Sequence, residues 1–226
     1  WTNTKGCYDV VISADGLYMA VMRNYLYLYH LGSNIPLWKS SYSFTPFYDN
    51  VDISADGSLI VASSDCWVRA YHRSSNVPIY SSCEISSYGT TISISDDGRY
   101  FAVVDQSQVY FYSISQEAAF RHWANGWGCS AGGGDLQQVV VSADGSYVAA
   151  ANYQCGVRYY NREGYLLWSH DDDDGNYRRV SMSDDGRVVT VGRDCCSENN
   201  IFTYTWTYAS SGLFLPLAPE TGASTD

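Results

Sequence analysis

The chain has 226 residues, 46% of them hydrophobic, which is enough for one large all-β domain with a core and too apolar for a disordered chain. Thirteen Lys and Arg against 24 Asp and Glu leave a net charge of −11, which repels phosphate backbones and anionic lipid heads and so disfavours a nucleic-acid groove or a membrane-surface role. No apolar run approaches the ~18 residues that span a bilayer, no signal peptide is visible, and the first residue is Trp1 rather than Met, as expected of a processed chain or an excised fragment.

A tetrapeptide, Ser-[Ala/Asp]-Asp-Gly, occurs five times, at residues 13–16, 54–57, 95–98, 142–145 and 183–186. Its aspartates (Asp15, Asp56, Asp97, Asp144 and Asp185) are 41, 41, 47 and 41 residues apart. Each repeat predicts four strands. The first offers Leu26–His30 and Ile35–Trp38 as its third and fourth. The second is the clearest. Asn50–Ser54 runs into Asp56-Gly57, a strong hairpin signal; Leu59–Ala62 is apolar throughout, as in a strand buried on both faces. Trp67–Tyr71 alternates, and Pro78 makes Val77–Tyr80 an edge strand. The later repeats supply Val109–Tyr112 and Ala119–Trp123, then Val157–Tyr160 and Tyr165–Trp168, then Ile201–Tyr204 and Leu213–Leu215. Four-stranded units of ~40 residues are propeller blades. The expected fold is all-β, a five-bladed β-propeller of four-stranded antiparallel blades over residues 1–216, with repeats at about 7–42, 48–83, 88–124, 135–170 and 176–215. A single closed ring is predicted, with the Asp-Gly turns on the face opposite the cysteines. Residues 217–226 read as a Pro/Thr/Ser-rich tail or linker, in which Pro219–Gly222 is similar to part of a sortase signal.

Ile-Ser-Ala-Asp-Gly followed by an apolar strand, and Asn161-Arg-Glu-Gly-Tyr-Leu-Leu-Trp168, resemble the WD40-like and quinoprotein-like repeats of prokaryotic, especially archaeal, propeller proteins. The Gly164…Trp168 spacing is similar to the tryptophan-docking motif of the quinoprotein group. The resemblance covers residues 7–215 and implies the fold; it implies no single activity, because this fold hosts many. No blade carries a Gly-His…Trp-Asp pair and only one carries the full docking motif, so no cofactor is expected.

Seven cysteines fall in loops rather than strand centres. Cys66, Cys155, Cys195 and Cys196 lie between second and third strands, Cys83 and Cys129 near links between blades, and Cys7 at the entry to the first strand. A cysteine used as a core hydrophobe would sit within a strand, and no CxxC spacing points to zinc. Disulfides are the reading, which implies an oxidising compartment or a hyperthermophile cytosol. Repeat geometry narrows the pairs to Cys66 with Cys83, Cys129 with Cys155, and Cys7 with Cys195 or Cys196; the last would fasten the first blade to the fifth.

Three motifs resemble chemistry. Gly128-Cys-Ser-Ala-Gly132 matches the G-x-S-x-G elbow but lies in a Gly-rich link, without the strand, helix and partners that elbow needs. The run Asp171–Asn176 offers Asp172 and Asp174 as weak Ca²⁺ candidates, and a solvated acidic loop is the default. Four histidines show no ligand spacing. Trp67, Trp127 and Tyr153, unrepeated aromatics at the cysteine-bearing face, are the binding-face candidates. Together these predict no enzyme, no metal and no cofactor. The expectation is a secreted or cell-surface propeller working as a structural or protein-interaction module, with protein partners or self-assembly at a cell surface, such as a surface layer or appendage. The alternatives are a glycan-binding, lectin-like propeller and, third, a quinoprotein-type cofactor protein. Neither nucleic-acid binding nor membrane insertion is expected.

Overall fold

The computed structural model describes residues 6–44, 50–85, 91–105, 108–115, 118–126, 138–153, 156–170, 177–195, 198–208, 214–216 and 220–221. Its strands form five antiparallel sheets, each beginning at one repeat, and the fold is a five-bladed β-propeller. Blade 1 comprises β1 (Asp9–Ile12), β2 (Tyr18–Met22), β3 (Tyr25–His30) and β4 (Trp38–Ser43). Blade 2 comprises β5 (Asn50–Ile53), β6 (Leu59–Ser64), β7 (Trp67–His72) and β8 (Tyr80–Cys83). Blade 3 follows with β9 (Thr91–Ile94), β10 (Tyr100–Val104), β11 (Gln108–Ile114) and β12 (Ala119–Gly126). Blade 4 has β13 (Gln138–Val141), β14 (Tyr147–Asn152), β15 (Gly156–Asn161) and β16 (Leu166–His170). Blade 5 has β17 (Tyr177–Met182), β18 (Val188–Cys195), β19 (Glu198–Tyr208) and β20 (Phe214–Pro216), with β21 (Glu220–Thr221) also on β19. Glu220 and Thr221, expected in a tail, thus extend the outer edge of blade 5 by pairing with Thr203 and Phe202.

The repeated tetrapeptide makes the same turn five times, though not the two-residue turn that Asp-Gly predicts. Such a turn needs positive φ at both central residues. Here only the glycines have it, at 68°, 68°, 67°, 69° and 74° in chain order. Instead, Ser13 N–H donates to Tyr18 O (3.0 Å) and Gly16 N–H to Ser13 O (2.9 Å), enclosing a four-residue loop. The Ser13 hydroxyl donates to Asp15 Oδ1 (2.6 Å) and accepts from Tyr18 N–H (3.0 Å), and Asp15 Oδ1 accepts from Leu17 N–H (2.9 Å). Ser-x-Asp-Gly is therefore one hydrogen-bonded unit: serine and aspartate close the loop, and glycine takes the left-handed residue. Those same two donors hold the Asp15 carboxyl below its usual range.

Blades pack through four apolar clusters. Ala20, Met22, Leu26 and Leu28 of blade 1 meet Val51, Ile53, Ile60 and Tyr71 of blade 2. Equivalent sets join blades 2 and 3, 3 and 4, and 4 and 5. Every blade thus has a preceding face and a following face, set by the alternation of side chains along its strands. Fourth-strand aromatics cross each seam: Trp38 packs on Tyr71, Tyr80 on Tyr112, Trp123 on Tyr160 and Trp168 on Tyr204, with centroids 4.3–5.6 Å apart. Trp123 also donates to Arg162 O (2.8 Å) and lies against Gly164, where a Cβ would stand 2.7 Å from the indole. The glycine of the docking motif is therefore the receiver of the previous blade's tryptophan. Inner strands are stitched by side chains as well, with Asp9 Oδ2 accepting from Val51 N–H (2.9 Å) and Asp52 Oδ2 from Ile94 N–H (2.8 Å).

Among the described residues no apolar cluster joins blade 5 to blade 1, and the inner strands neighbour one another in the order β1, β5, β9, β13, β17 without a comparable return. No described apolar seam supports the closure of the expected ring, and the expected closing bridge is corrected, for Cys7 is a free, exposed thiol. The repeats specify how a blade receives its neighbour, and among the described residues no apolar cluster joins blades 1 and 5.

Candidate functional site: an aromatic and arginine rim on blades 1 and 2

Of the expected disulfides, Cys66–Cys83 forms. Cys66 sits in the β6–β7 turn, where Asp65 takes a φ of 52°, a conformation that aspartate tolerates better than most residues. Trp67 pairs with Cys83 across β7 and β8, so the register delivers the two thiols to bonding distance, with Cα atoms 4.7 Å apart. Cys129, Cys155 and Cys196 lie outside the described residues, and of Cys195 only the backbone, at the end of β18, is described. Cys7, Cys66 and Cys83 all stand on the face opposite the Asp-Gly turns.

Trp67, Arg69 and Tyr71 alternate along β7 on its preceding face, and blade 1 supplies what they meet. Tyr71 is buried against Trp38. One step towards the rim, the Arg69 guanidinium lies over three rings: Tyr42 at 4.6 Å, Trp67 at 4.7 Å and Phe44 at 5.6 Å. Arg69 is only 6% exposed, and its Nε has no hydrogen-bond partner. Burial opposes its charge, and Tyr71, Tyr42 and Asp65 support it. Cation–π attraction strengthens when the cation is desolvated, so three rings hold what a carboxylate usually holds. Burial also pushes the Tyr71 hydroxyl up to about 12, with Arg69 working against that shift. At the mouth of this column Trp67 (38%) and Tyr42 (45%) are exposed. Two flat aromatic surfaces are thus fixed at the rim by a buried cation and a neighbouring disulfide.

Of the expected binding-face aromatics, Trp67 is at this rim. Tyr153 occupies the turn after β14, two blades on, and Trp127 lies outside the described residues, as do Asp172, Asp174 and the Gly128–Gly132 motif. Tyr42, Phe44 and Arg69 were missed. Their only sequence signal is the unusual arginine between Trp67 and Tyr71 in an otherwise apolar strand. The histidines pack on rings, His30 on Tyr18 and His170 on Trp168 and Tyr177. No group of His, Cys, Asp or Glu suited to a metal occurs among the described residues, and none of their helices is long and apolar enough to cross a membrane. A second polar cluster, at the seam of blades 2 and 3, centres on Glu84, which accepts from Arg121 Nη1 (2.6 Å), Tyr112 Oη (2.8 Å) and Tyr80 Oη. Its groups bond one another, so it fastens the seam.

Fold and rim together define a β-propeller with two exposed aromatic rings at one seam. Solved structures place it among proteins of diverse roles. The chain is similar to the β-propeller domain of Cps50 (Swd1) from Myceliophteria thermophila, at 13% identity and a TM-score of 0.71, covering 97% of this chain and 71% of that one. It is also similar to Kuenenia stuttgartiensis hydrazine synthase, at 14% identity and 0.65, covering 96% and 67%. A functionally unknown protein from Desulfotomaculum acetoxidans matches at 16% and 0.66, covering 97% and 71%. Such identities establish the fold alone. No protein-family profile and no curated protein matches the chain.

Proposed function

We propose that this chain is a non-catalytic structural and protein-interaction propeller of a secreted or cell-surface assembly, contacting its partner through the Tyr42–Trp67 rim. The observation that carries the reading is two exposed rings fixed over a buried arginine. Trp, Tyr and Arg dominate the residues that carry binding energy in protein interfaces, and rigid aromatics lose little entropy on docking. The Cys66–Cys83 bridge supports an oxidising compartment, because such bonds are rare where glutathione keeps thiols reduced. The test is cross-linking mass spectrometry on envelope and secreted fractions of the source cells, with wild-type chain, Trp67→Ala and Tyr42→Ala. One partner cross-linked near residues 42 and 67, with affinity lowered at least ~30-fold by Trp67→Ala (about 2 kcal/mol), is the expected result. Cross-links that cluster elsewhere and survive both substitutions would overturn it.

The same exposed rings favour one second reading, stacking on a sugar face. A glycan array with wild type and Trp67→Ala separates the two, since only a lectin-like propeller shows glycan signals that this substitution removes.

A further inference from the structure

The seam motif recurs at four junctions, and at a fifth position its two innermost-strand residues stand exposed, while Val21 and Tyr29 of the same face are buried. On the innermost strand of each blade, two alternating apolar residues meet the blade before. Val51 and Ile53 are 4% and 7% exposed, and Ile92 and Ile94 are both 7%. Val10 and Ile12, at the same positions of blade 1, are 49% and 53% exposed. The turn glycines agree. A Cβ on Gly57, Gly145 or Gly186 would strike a tyrosine of the preceding blade at 2.5, 2.2 or 2.4 Å, whereas one on Gly16 would meet nothing within 4 Å. At the next seam Val51 N–H reaches back to Asp9 of blade 1 (2.9 Å). A cavity of about 520 Å³, lined by Tyr8, Arg23, Tyr25, Tyr27 and Tyr29 among others, opens beside these strands.

We propose that the preceding face of blade 1 is a docking seam whose occupant is a further four-stranded blade of this repeat type in the same ring. Three observations select a blade over other occupants. Val10, Ile12 and Gly16 each have a counterpart, in Val51, Ile53 and Gly57, that receives a blade at the next seam. This chain covers 71% of the solved propeller domain of Cps50, so that propeller is longer than the five blades matched here. The third observation concerns a second copy, which would have to offer the following face of its blade 5. There Ile201 is 62% exposed, and the neighbouring positions are Thr190, Gly192 and Thr203. Blades 1–4 carry fully buried Leu26, Val68, Val109 and Val157 where Ile201 stands. Thr and Gly leave too little apolar surface to cover Val10 and Ile12. The occupant needs small apolar residues on its second and third strands and a tyrosine to lie on Gly16.

The test has two arms. In the first, the 226-residue chain is compared with Ile12→Asp by sedimentation and by fluorescence of the apolar dye ANS. The expected result is a monomer that binds ANS, with the signal falling severalfold in Ile12→Asp. A dimer that Ile12→Asp splits would show that a second copy fills the seam and would overturn the proposal, as would ANS binding that Ile12→Asp leaves unchanged. In the second arm, a duplicate of residues 7–49 precedes Cys7, so that a copy of blade 1 offers its Ala20, Met22, Leu26 and Leu28 to the seam. The expected result is a melting temperature raised by about 5 °C or more and loss of ANS binding, both abolished by Ile12→Asp in the original blade. An added blade that stays protease-sensitive while the parent melts unchanged would overturn the proposal.

Discussion

The two faces of blade 1 both carry alternating apolar residues but differ in what lies against the innermost strand. On the following face, Ala20, Met22, Leu26 and Leu28 disappear beneath blade 2. On the preceding face, Val10 and Ile12 stand half in water with the alternation intact. Apolar patterning along a strand records what a face is suited to, and burial depends on the neighbour. Hydrophobic free energy accrues only with area removed from water, so Val10 and Ile12 contribute less than their counterparts Val51 and Ile53 do at the next seam.

The sharpest test of that contrast is a matched pair of charges. Val51→Asp buries a carboxylate in a closed seam and is expected to cost about 4 kcal/mol or more, whereas Val10→Asp is expected to change stability by less than about 0.5 kcal/mol, both by urea denaturation. Equal costs would mean that the preceding face of blade 1 is covered in solution. A second pair concerns the cysteines. Reduction of Cys66–Cys83, which closes a separation of 17 residues, is expected to remove about 3 kcal/mol in the chain-entropy account. Cys7→Ser should leave the melting temperature of the oxidised protein unchanged, because that thiol is free. A large loss in Cys7→Ser would restore a bridge from blade 1 to the last blade.

The smallest expected effect is one of pH. Burial at the seam of blades 2 and 3 pushes the Asp52 carboxyl up to about 6, against the opposing pull of hydrogen bonds from Ile94 and Ile53 N–H. In the unfolded chain the group titrates at its ordinary value of 3.8. Between about pH 4 and pH 6 the folded chain therefore keeps a proton that the unfolded chain has released, and this contribution to stability falls as pH rises through that window. Asp52→Asn should flatten the difference between stabilities measured at about pH 4.5 and 6.5. Blade 1 has Val11 at this position and therefore no such group. An unaltered pH slope in Asp52→Asn would mean that water reaches the seam.

What could be read from the sequence was what is local. Ser-x-Asp-Gly encodes its turn within six residues, Ser13 to Tyr18 in the first blade, so the blade count and the strand order follow from the period. Cys66 and Cys83 were legible as a pair because both map to the outer end of one blade. The hairpin was legible but its loop was not, since the dipeptide alone does not show that Ser13 and Asp15 close a four-residue loop. The rim on blades 1 and 2 was half visible: Trp67 stood out, but Tyr42 and Phe44 belong to the previous repeat and reach Arg69 only through seam geometry. Ring closure was illegible for a plainer reason. A blade that lacks a neighbour carries the same repeat as one that has it, and Val10 and Ile12 look no different from Val51 and Ile53.

The seams also bear on how the chain finds this arrangement. Cross-seam hydrogen bonds such as those of Asp9, Asp52 and Gln138 link residues 42 apart, and those of Thr91 and Ser93 link residues 48 apart. Each bond therefore reaches about one repeat along the chain, and the entropy of closing a loop of that length is met once per blade. The described clusters ask for no contact between the first and the last repeat. Assembly can then proceed in the direction of synthesis, each emerging blade docking on the one before it, with the seam of the newest pair as the surface most exposed to misassociation.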